Sequence, residues 1–266
     1  MLSIEQIIGE AQKLHQAEKG RQQIRATTSA FPDMEIADAY KIQSAWIDIK
    51  KSEGRQIVGH KIGLTSKTMQ RAMQISEPDY GSLLDDMVFQ ENTHIDSTQF
   101  LDPRIEVELA FVLKDKLEGL QVTIDDVLQA TDYIVPALEI IAARTFRKNP
   151  KTGYVRQVRD SISDNAANAG IVVGSRRIKP NEVDLRWVGA LLSKNGEVEE
   201  TGLAAGVLNH PANGIVWLAH KYAQYDVALE PGQIILSGSF TRPVSIGIGD
   251  TIEADFGVVG QIKCYF

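Results

Sequence analysis

The chain has 266 residues, 43% of them hydrophobic and 24% charged, which is typical of a folded protein with a sizeable core. Its net charge of -7 and pI near 5.3 argue against general binding to nucleic acid or an anionic membrane, since both need a basic surface. The single cysteine, Cys264, excludes an intramolecular disulfide framework and a cysteine-rich zinc site, and it indicates a reducing compartment, the cytoplasm.

The N-terminal region predicts two helices. Ser3 and Gln6 form a capping box, and apolar residues recur at helical spacing from there to about Gly20. A second helix is predicted over Ile36–Ser52, with Gly54 as its stop signal. No signal-like segment opens the chain and no apolar stretch approaches the ~20 residues of a membrane helix, so we expect neither export nor membrane insertion.

The next segment, GHKIGLTS (residues 59–66), predicts a strand that carries a lysine between two glycines. Side-chain alternation places Gly59, Lys61, Gly63 and Thr65 on one face, and Val58, His60, Ile62 and Leu64 on an apolar face. Glycine in a strand often marks the close approach of a ligand or another backbone. The face around Lys61 is therefore a candidate pocket wall.

The turn-rich segment SEPDYGSLLDDM (76–87) predicts a loop, and we place a domain boundary there, dividing the chain into residues 1–80 and 81–266. Beyond it the pattern is mainly β, with one helix beginning near His210 and Pro211. The predicted strands are RIEVELAFVL (104–113), YIVPALEII (133–141), NAGIVVG (168–174), WVGALLSKNG (187–196), QIILSGSF (233–240) and DTIEADFG (250–257).

Two carboxylates in RIEVELAFVL share one strand face. Glu106 and Glu108 stand about 7 Å apart at their backbones, close enough for both side chains to reach one cation. The alternative is a solvent-facing strand edge. The same face continues as Ala110 and Val112, which would make a poor solvent face.

Glu139 is the one charged residue in YIVPALEII, and burying an unpaired carboxylate costs several kcal/mol unless a cation compensates it. Three glutamates are a reasonable oxygen set for Mg²⁺ or Mn²⁺. The five histidines lack zinc-site spacing. The segment SIGIGD (245–250) lacks the third glycine of a dinucleotide-binding motif and predicts a β-turn, and Cys264 is predicted to be a packing residue.

A basic stretch, RTFRKNPKTGYVRQVRD (144–160), stands out in this acidic chain. Its cations are Arg144, Arg147, Lys148, Lys151, Arg156 and Arg159. One interpretation is a solvated loop or a subunit contact, and the other is a site for an anionic substrate.

Six segments resemble the hydratases of aromatic meta-cleavage pathways, within the fumarylacetoacetate hydrolase superfamily. They are GHKIGLTS, SEPDYGSLLDDM, PRIEVELAFVL, SDNAANAG, GLAAGVLNHPANGIVWLA and LSGSFTRPV, in that order along nearly the whole chain. The resemblance implies an α+β fold, with a small N-terminal α/β portion and a larger domain of mixed β-sheets rolled around a metal site. It also implies a homo-oligomer, built from pentameric rings or as a decamer.

Residue by residue, the resemblance implies that Glu106, Glu108 and Glu139 are the metal ligands. It further implies that Lys61 is the active-site lysine, able to move protons, and that Asp79 is the acidic residue that activates water. Ser239 and Thr241 are predicted to present hydroxyls on one strand face, either to the substrate carboxylate or as ordinary strand-surface groups.

The activity implied is metal-dependent hydration of 2-oxo-hept-4-ene-1,7-dioate, through its 2-hydroxydiene form, to 4-hydroxy-2-oxoheptanedioate. The pathway implied is the degradation of homoprotocatechuate (4-hydroxyphenylacetate). The alternatives are hydration of 2-oxopent-4-enoate, a 4-oxalocrotonate-type decarboxylase, an acylpyruvate hydrolase and a non-catalytic partner protein. The distal carboxylate of a seven-carbon diacid also needs a partner, which the basic stretch or His60 could supply.

Overall fold

The computed structural model describes residues 1–266, which form six α-helices and twelve β-strands. The helices are α1 (Ile4–Lys19), α2 (Ile36–Ser52), α3 (Lys67–Ala72), α4 (Ile124–Ala130), α5 (Val158–Ser163) and α6 (Ala212–Ala223). The strands are β1 (Ile57–Gly63), β2 (Asp79–Leu84), β3 (Val88–Gln90), β4 (Arg104–Leu113), β5 (Thr131–Ile141), β6 (Asn168–Val173), β7 (Gly189–Lys194), β8 (Glu197–Leu203), β9 (Ile234–Leu236), β10 (Val244–Ser245), β11 (Thr251–Asp255) and β12 (Gln261–Tyr265).

The strands form two mixed or antiparallel sheets. The larger sheet has 8 strands in the order β2-β1-β9-β4-β5-β6-β3, with β10 paired to β4. Parallel pairs, β1 with β9 and β3 with β6, lie among antiparallel ones. The smaller sheet has 4 strands in the order β12-β11-β7-β8. The predicted α+β class with mixed sheets is confirmed.

Both N-terminal helices form as predicted. The Ser3 hydroxyl accepts a hydrogen bond from the Gln6 backbone N–H at 3.2 Å, and the Gln6 side chain accepts one from the Ser3 N–H at 2.8 Å. This capping box satisfies two N–H groups that the first turn leaves free. None of the six helices combines the length and apolar character that crossing a membrane would require.

The large sheet separates two apolar cores. On one side Ala110 of β4 and Ala137 of β5 pack with α1 and α2, which contribute Leu14 and Trp46. On the other side Leu109 and its neighbours pack with the small sheet and with α6. Because side chains alternate along a strand, the even-numbered residues of β4 face the helical core. Glu106 and Glu108 belong to that face.

The predicted alternation of β1 holds at its centre and fails at its ends. Ile62 packs in the core with α6, as expected of the apolar face. Val58 and Leu64 instead pack with the helical core. The register shifts between Ile57 and Gly59, and Leu64 has a positive φ of 53°, so both ends leave the regular two-residue repeat.

The loop predicted over residues 76–87 is in part a strand, which corrects the sequence-based interpretation. Asp79–Leu84 form β2, which pairs antiparallel with β1 and aligns Asp79 with Gly63. Pro78 and Gly81 favour turns and therefore predicted a loop, but the pairing with β1 overrides this local preference. The proposed boundary after residue 80 lies inside β2, and the division into two domains stays a prediction.

The mainly β region contains more helix than the sequence pattern indicated. The helix near His210 is confirmed as α6, but α4 and α5 were not predicted, because helices of 7 and 6 residues carry little periodicity. The SIGIGD turn is confirmed between β10 and β11, and Cys264 is buried in the core as predicted.

Gly59 allows β1 and β9 to lie side by side. A Cβ atom at this position would stand 1.9 Å from the carbonyl oxygen of Ile234. The obstacle is backbone, which no side-chain rotation can relieve. Gly59 therefore marks the approach of another strand and not of a ligand.

We expect Gly59→Ala to lower the free energy of unfolding by about 2–3 kcal/mol, because the added methyl forces β1 and β9 apart. Gly9→Ala is the matched control: nothing lies within 4 Å of a Cβ there. Since Gly9 is inside α1, that change should raise stability by about 0.5–1 kcal/mol. Urea unfolding measures both, and an undiminished stability of Gly59→Ala would contradict this packing.

Candidate active site

One cleft brings together the five residues predicted to carry the chemistry. Lys61, Asp79, Glu106, Glu108 and Glu139 line an open cleft of about 860 Å³ on the helical side of the large sheet. They come from four different strands, β1, β2, β4 and β5. Their convergence confirms that the lysine face of β1 and the acidic face of β4 border the same space.

The pairing of β4 with β5 sets the spacing of the glutamates. Glu106 lies directly opposite Glu139, and Glu108 lies opposite Ala137. Directly opposed residues in an antiparallel pair have Cβ atoms about 4.5–5.5 Å apart, and like charges there repel. Glu108 and Glu139 are buried, whereas Glu106 is partly exposed to the cleft. The alternative of a solvent-facing strand edge is therefore wrong.

The surrounding protein only partly stabilises the ionised form of the glutamates. Burial raises the pKa of Glu108 well above its usual value, and the charge of Glu139 adds to the rise. Burial and the charge of Glu139 likewise raise the pKa of Glu106. The Gly238 N–H donates to Glu108 Oε2 at 2.8 Å, but neither oxygen of Glu139 accepts a hydrogen bond.

This donor set suits a hard divalent cation. Such ions prefer carboxylate oxygens, and a cation would bind the Glu139 oxygens, which accept no hydrogen bond, and relieve the repulsion across β4 and β5. The residues that could hold it are Glu106, Glu108 and Glu139. No group of three or more acidic, histidine or cysteine side chains is already arranged as a metal site.

Lys61 and Asp79 fill the space that the second glycine leaves open. A Cβ atom at Gly63 would lie 2.2 Å from Asp79 Oδ1 and 3.0 Å from Lys61 Nζ. The Lys61 ammonium also lies 3.3 Å from Glu139 Oε1. Gly63 therefore makes room for two side chains of the site.

The charges around Lys61 decide its protonation. Burial by itself lowers the pKa of Lys61, but Glu139, Asp79 and the other two glutamates outweigh it and raise the pKa above its usual value. Burial raises the pKa of Asp79, and the charge of Lys61 partly opposes this rise. Asp79 Oδ1 accepts no hydrogen bond. The site thus holds an ammonium with protons to donate beside a carboxyl oxygen free to accept one.

Ser239 and Thr241 line the cleft, but not on a strand. The strand β9 ends at Leu236, and Gly238 follows with a φ of 123°, which turns its N–H toward Glu108. The Ser239 hydroxyl donates to the Thr241 carbonyl at 2.9 Å, and Thr241 Oγ1 accepts from the Val107 N–H at 3.1 Å. The predicted strand face is wrong, and both hydroxyls have partners within the protein.

The basic stretch divides between structural and cleft residues. Arg144 is buried, donates to Asp164 Oδ1 at 2.9 Å and lies over the Trp46 ring, so it is neither solvated nor available to a substrate. Lys148 and Lys151 are exposed. Arg147 and Arg156 line the cleft.

Arg159 and His60 lie elsewhere. Arg159 donates to the backbone carbonyls of Pro32 and Met34. His60 Nδ1 is hydrogen-bonded to the Tyr222 hydroxyl at 2.9 Å on the far side of β1, and burial lowers the pKa of His60 to about 4. A neutral histidine outside the cleft cannot pair with a substrate carboxylate, so that alternative is wrong.

Two features of the site were not predicted from the sequence. Arg104, two residues before Glu106 on the same face of β4, also lines the cleft, and the alternation that located the glutamates could have located it. Asn165, Ala166 and Ala167 have consecutive positive φ values of 54°, 50° and 61°. Left-handed backbone costs about 1–2 kcal/mol per non-glycine residue. Asn165 helps to hold this turn by accepting from the Ser82 N–H and donating to the Ser82 carbonyl.

Known proteins resemble this chain along its whole length. A 2-oxo-hept-4-ene-1,7-dioate hydratase from Escherichia coli is 59% identical over 256 residues, covering 96% of each chain. A 2-keto-4-pentenoate hydratase from Paraburkholderia xenovorans (strain LB400) is 40% identical, covering 96% of this chain and 93% of the relative.

The fold matches solved structures as well. A 4-oxalocrotonate decarboxylase from Pseudomonas putida G7, complexed with magnesium and adipate, superposes with a TM-score of 0.94 at 32% identity, covering 100% of this chain and 99% of the other. The sequence profile for the fumarylacetoacetate (FAA) hydrolase C-terminal region matches residues 61–266, which include all five clustered site residues. The chain therefore belongs to the fumarylacetoacetate hydrolase family.

Proposed function

We propose that this protein is a divalent-metal-dependent hydro-lyase that converts 2-oxo-hept-4-ene-1,7-dioate, through its 2-hydroxydiene form, to 4-hydroxy-2-oxoheptanedioate. The observation that carries the choice of reaction is the 59% identity to the Escherichia coli hydratase over 96% of both chains. The cleft supports it, because a cation held by its acidic cluster would, together with the lysine, stabilise a substrate that develops negative charge next to a carboxylate.

Glu106, Glu108 and Glu139 are the residues that would hold the cation, which we propose to be Mg²⁺ or Mn²⁺. When bound, the ion supplies positive charge beside the C1 carboxylate and 2-oxo oxygen of the substrate. The magnesium complex of the related decarboxylase supports a divalent ion at this kind of site.

Lys61 and Asp79 are the proposed proton carriers. Protonation of the 2-hydroxydiene at C5 gives a conjugated enone, to which water adds at C4 while C3 gains a proton. The Lys61 ammonium, held 3.3 Å from Glu139, adds positive charge and has a proton to donate. Asp79, with an oxygen free of hydrogen bonds, is placed to accept the proton of the attacking water.

A second candidate is a vinylogous decarboxylase. The observation that favours this second activity is the TM-score of 0.94 to the Pseudomonas putida G7 decarboxylase over the full chain. Both reactions use a dienolate and differ in whether carbon dioxide leaves. The homo-oligomer of pentameric rings, the cytoplasmic location and the homoprotocatechuate pathway remain predictions.

The product identifies the reaction directly. The protein is stripped of metal, restored with Mg²⁺ and given freshly generated 2-hydroxyhepta-2,4-dienedioate, and the product is analysed by mass spectrometry. We expect the gain of one water, and only in the sample that received metal. Loss of carbon dioxide would transfer the assignment to the decarboxylase, and an unchanged substrate would refute both.

Glu139→Gln should weaken Mn²⁺ binding by more than about tenfold and lower turnover with it, because it removes a charged oxygen ligand and leaves the shape of the side chain. Isothermal titration with Mn²⁺ measures the affinity. Glu118→Gln is the control, since Glu118 pairs with Lys116 on the surface and should bind metal like the wild type. Unchanged affinity in Glu139→Gln would remove this residue from the ligand set.

Lys61→Met should lower kcat by about 10²–10⁴, the usual contribution of a general acid or base, while Mn²⁺ affinity is retained. Retention is expected because the change removes a positive charge beside Glu139. Lys148→Met, at an exposed site in the basic stretch, controls for loss of a surface cation. If Lys61→Met lost metal affinity and activity together, its role would be structural.

A further inference from the structure

Three arginines surround one end of the cleft, beyond the acidic cluster. Arg104, Arg147 and Arg156 all line it. Arg147 and Arg156 face each other across a hairpin, since the Arg156 N–H donates to the Arg147 carbonyl at 3.0 Å and Lys148 pairs with Val155. The hairpin is fastened to the N-terminal region, where the Tyr154 hydroxyl donates to Thr28 at 2.8 Å.

These guanidinium groups have unused hydrogen-bonding capacity. Arg156 forms no side-chain hydrogen bond, and its buried Nη1 lies 3.7 Å from Asp164, whose oxygens already accept from Arg144. Arg147 donates to Asp102 from Nε and Nη2, leaving Nη1 without a partner. Arg104 Nε is also buried without one.

Arginine side chains are therefore concentrated at this end of the cleft. Asp102 compensates Arg147, and Asp164 is shared with Arg144. Burial and the neighbouring Arg147 lower the pKa of Arg156 to about 10, which leaves it protonated at neutral pH. A buried guanidinium group whose N–H groups lack hydrogen-bond acceptors is costly, and a carboxylate is the anion whose geometry it matches best.

We propose that Arg147 and Arg156, assisted by Arg104, form the subsite that binds the distal carboxylate of a dicarboxylic 2-oxo acid. Arg104 lies two residues from Glu106 along β4, about 7 Å at a strand's rise per residue. That separation is comparable to the length of a seven-carbon chain, so one diacid reaches both the acidic cluster and the arginines. The subsite thereby selects diacids over the shorter monoacids, and this inference rests on the proposed function.

Binding of unreactive acids tests the subsite apart from turnover. The Mg²⁺-loaded protein is titrated calorimetrically with adipate, a diacid, and with hexanoate, the monoacid of equal length. We expect Arg156→Gln and Arg147→Gln each to weaken the binding of adipate by about tenfold or more, because a charge-assisted hydrogen bond is lost. The affinity for hexanoate should not change. Arg177→Gln, at an exposed position outside the cleft, should bind both like the wild type.

Kinetics give a second, independent measure. With the seven-carbon substrate the same variants should raise KM about tenfold with kcat little changed, while 2-hydroxypenta-2,4-dienoate, which lacks the distal carboxylate, should be used no less well than by the wild type. Arg242→Gln tests the other cleft arginine, which is exposed at the mouth and paired with Glu200 at 2.9 Å.

The outcomes separate the two proposals. The arginine subsite would be overturned if the Arg147 and Arg156 variants lost affinity for adipate and hexanoate equally, or lost affinity for neither. It would also be overturned if only Arg242→Gln lost the preference for adipate over hexanoate. A wild-type protein that discriminates adipate through Arg156 but adds no water to the dienoate would retain the subsite and refute the proposed function. If Arg156→Gln fails to fold, Arg147→Gln and Arg156→Lys carry the test, the latter by losing bidentate contact while keeping charge.

Discussion

The site depends on one strained pairing: β4 and β5 place Glu106 directly opposite Glu139 inside the protein. Opposed carboxylates repel, and burial increases the cost because it removes the water that would screen them. The ten-residue and eleven-residue strands that carry them supply enough apolar burial on their other face to hold the register. The fold thus holds three carboxyl groups so close together that a bound cation would relieve their repulsion.

The positive groups are distributed along the cleft in a way that complements this charge. Lys61 contacts Glu139 directly, whereas the three arginines lie beyond ion-pair distance of the glutamates. Burial raises the pKa of Glu106 and of Asp79, and two of the arginines partly oppose this rise through space, Arg147 at Glu106 and Arg156 at Asp79. One end of the cleft is therefore suited to a cation with an oxyanion, and the other to a second carboxylate. A linear diacid has that charge pattern.

Buried ion pairs elsewhere fix the surfaces that border the cleft. Arg144 joins Glu18 of α1 to Asp164, and Asp160 accepts hydrogen bonds from the Thr28 N–H and hydroxyl. These contacts connect the N-terminal helices to the segment that carries Arg147 and Arg156. Such groups contribute little net stability compared with apolar residues, but breaking one partner leaves a buried charge, so they hold the hairpin in a defined position.

The sequence by itself determined the elements whose local signals are strong and agree with the packing. The capping box of α1, the span of α2 and the alternation of β4 follow from residue spacing alone, and so do the shared face of Glu106 and Glu108 and the anomaly of a charged Glu139 in an apolar strand. Strand alternation also marked the face around Lys61 as a pocket wall, and motif resemblance added Asp79 and the catalytic role of Lys61.

Only the tertiary structure decided which of these residues meet. Pairing with β1 made a strand of the turn-rich segment at Asp79, and β9 ends before Ser239. The two glycines of β1 have different roles: Gly59 allows a neighbouring strand to approach, and Gly63 leaves room for side chains of the site. It also separated Arg144 from Arg147 and Arg156, although all three belong to one basic stretch. Spacing along the chain reports which face a residue occupies, whereas its partners depend on contacts between distant segments, which no local pattern encodes.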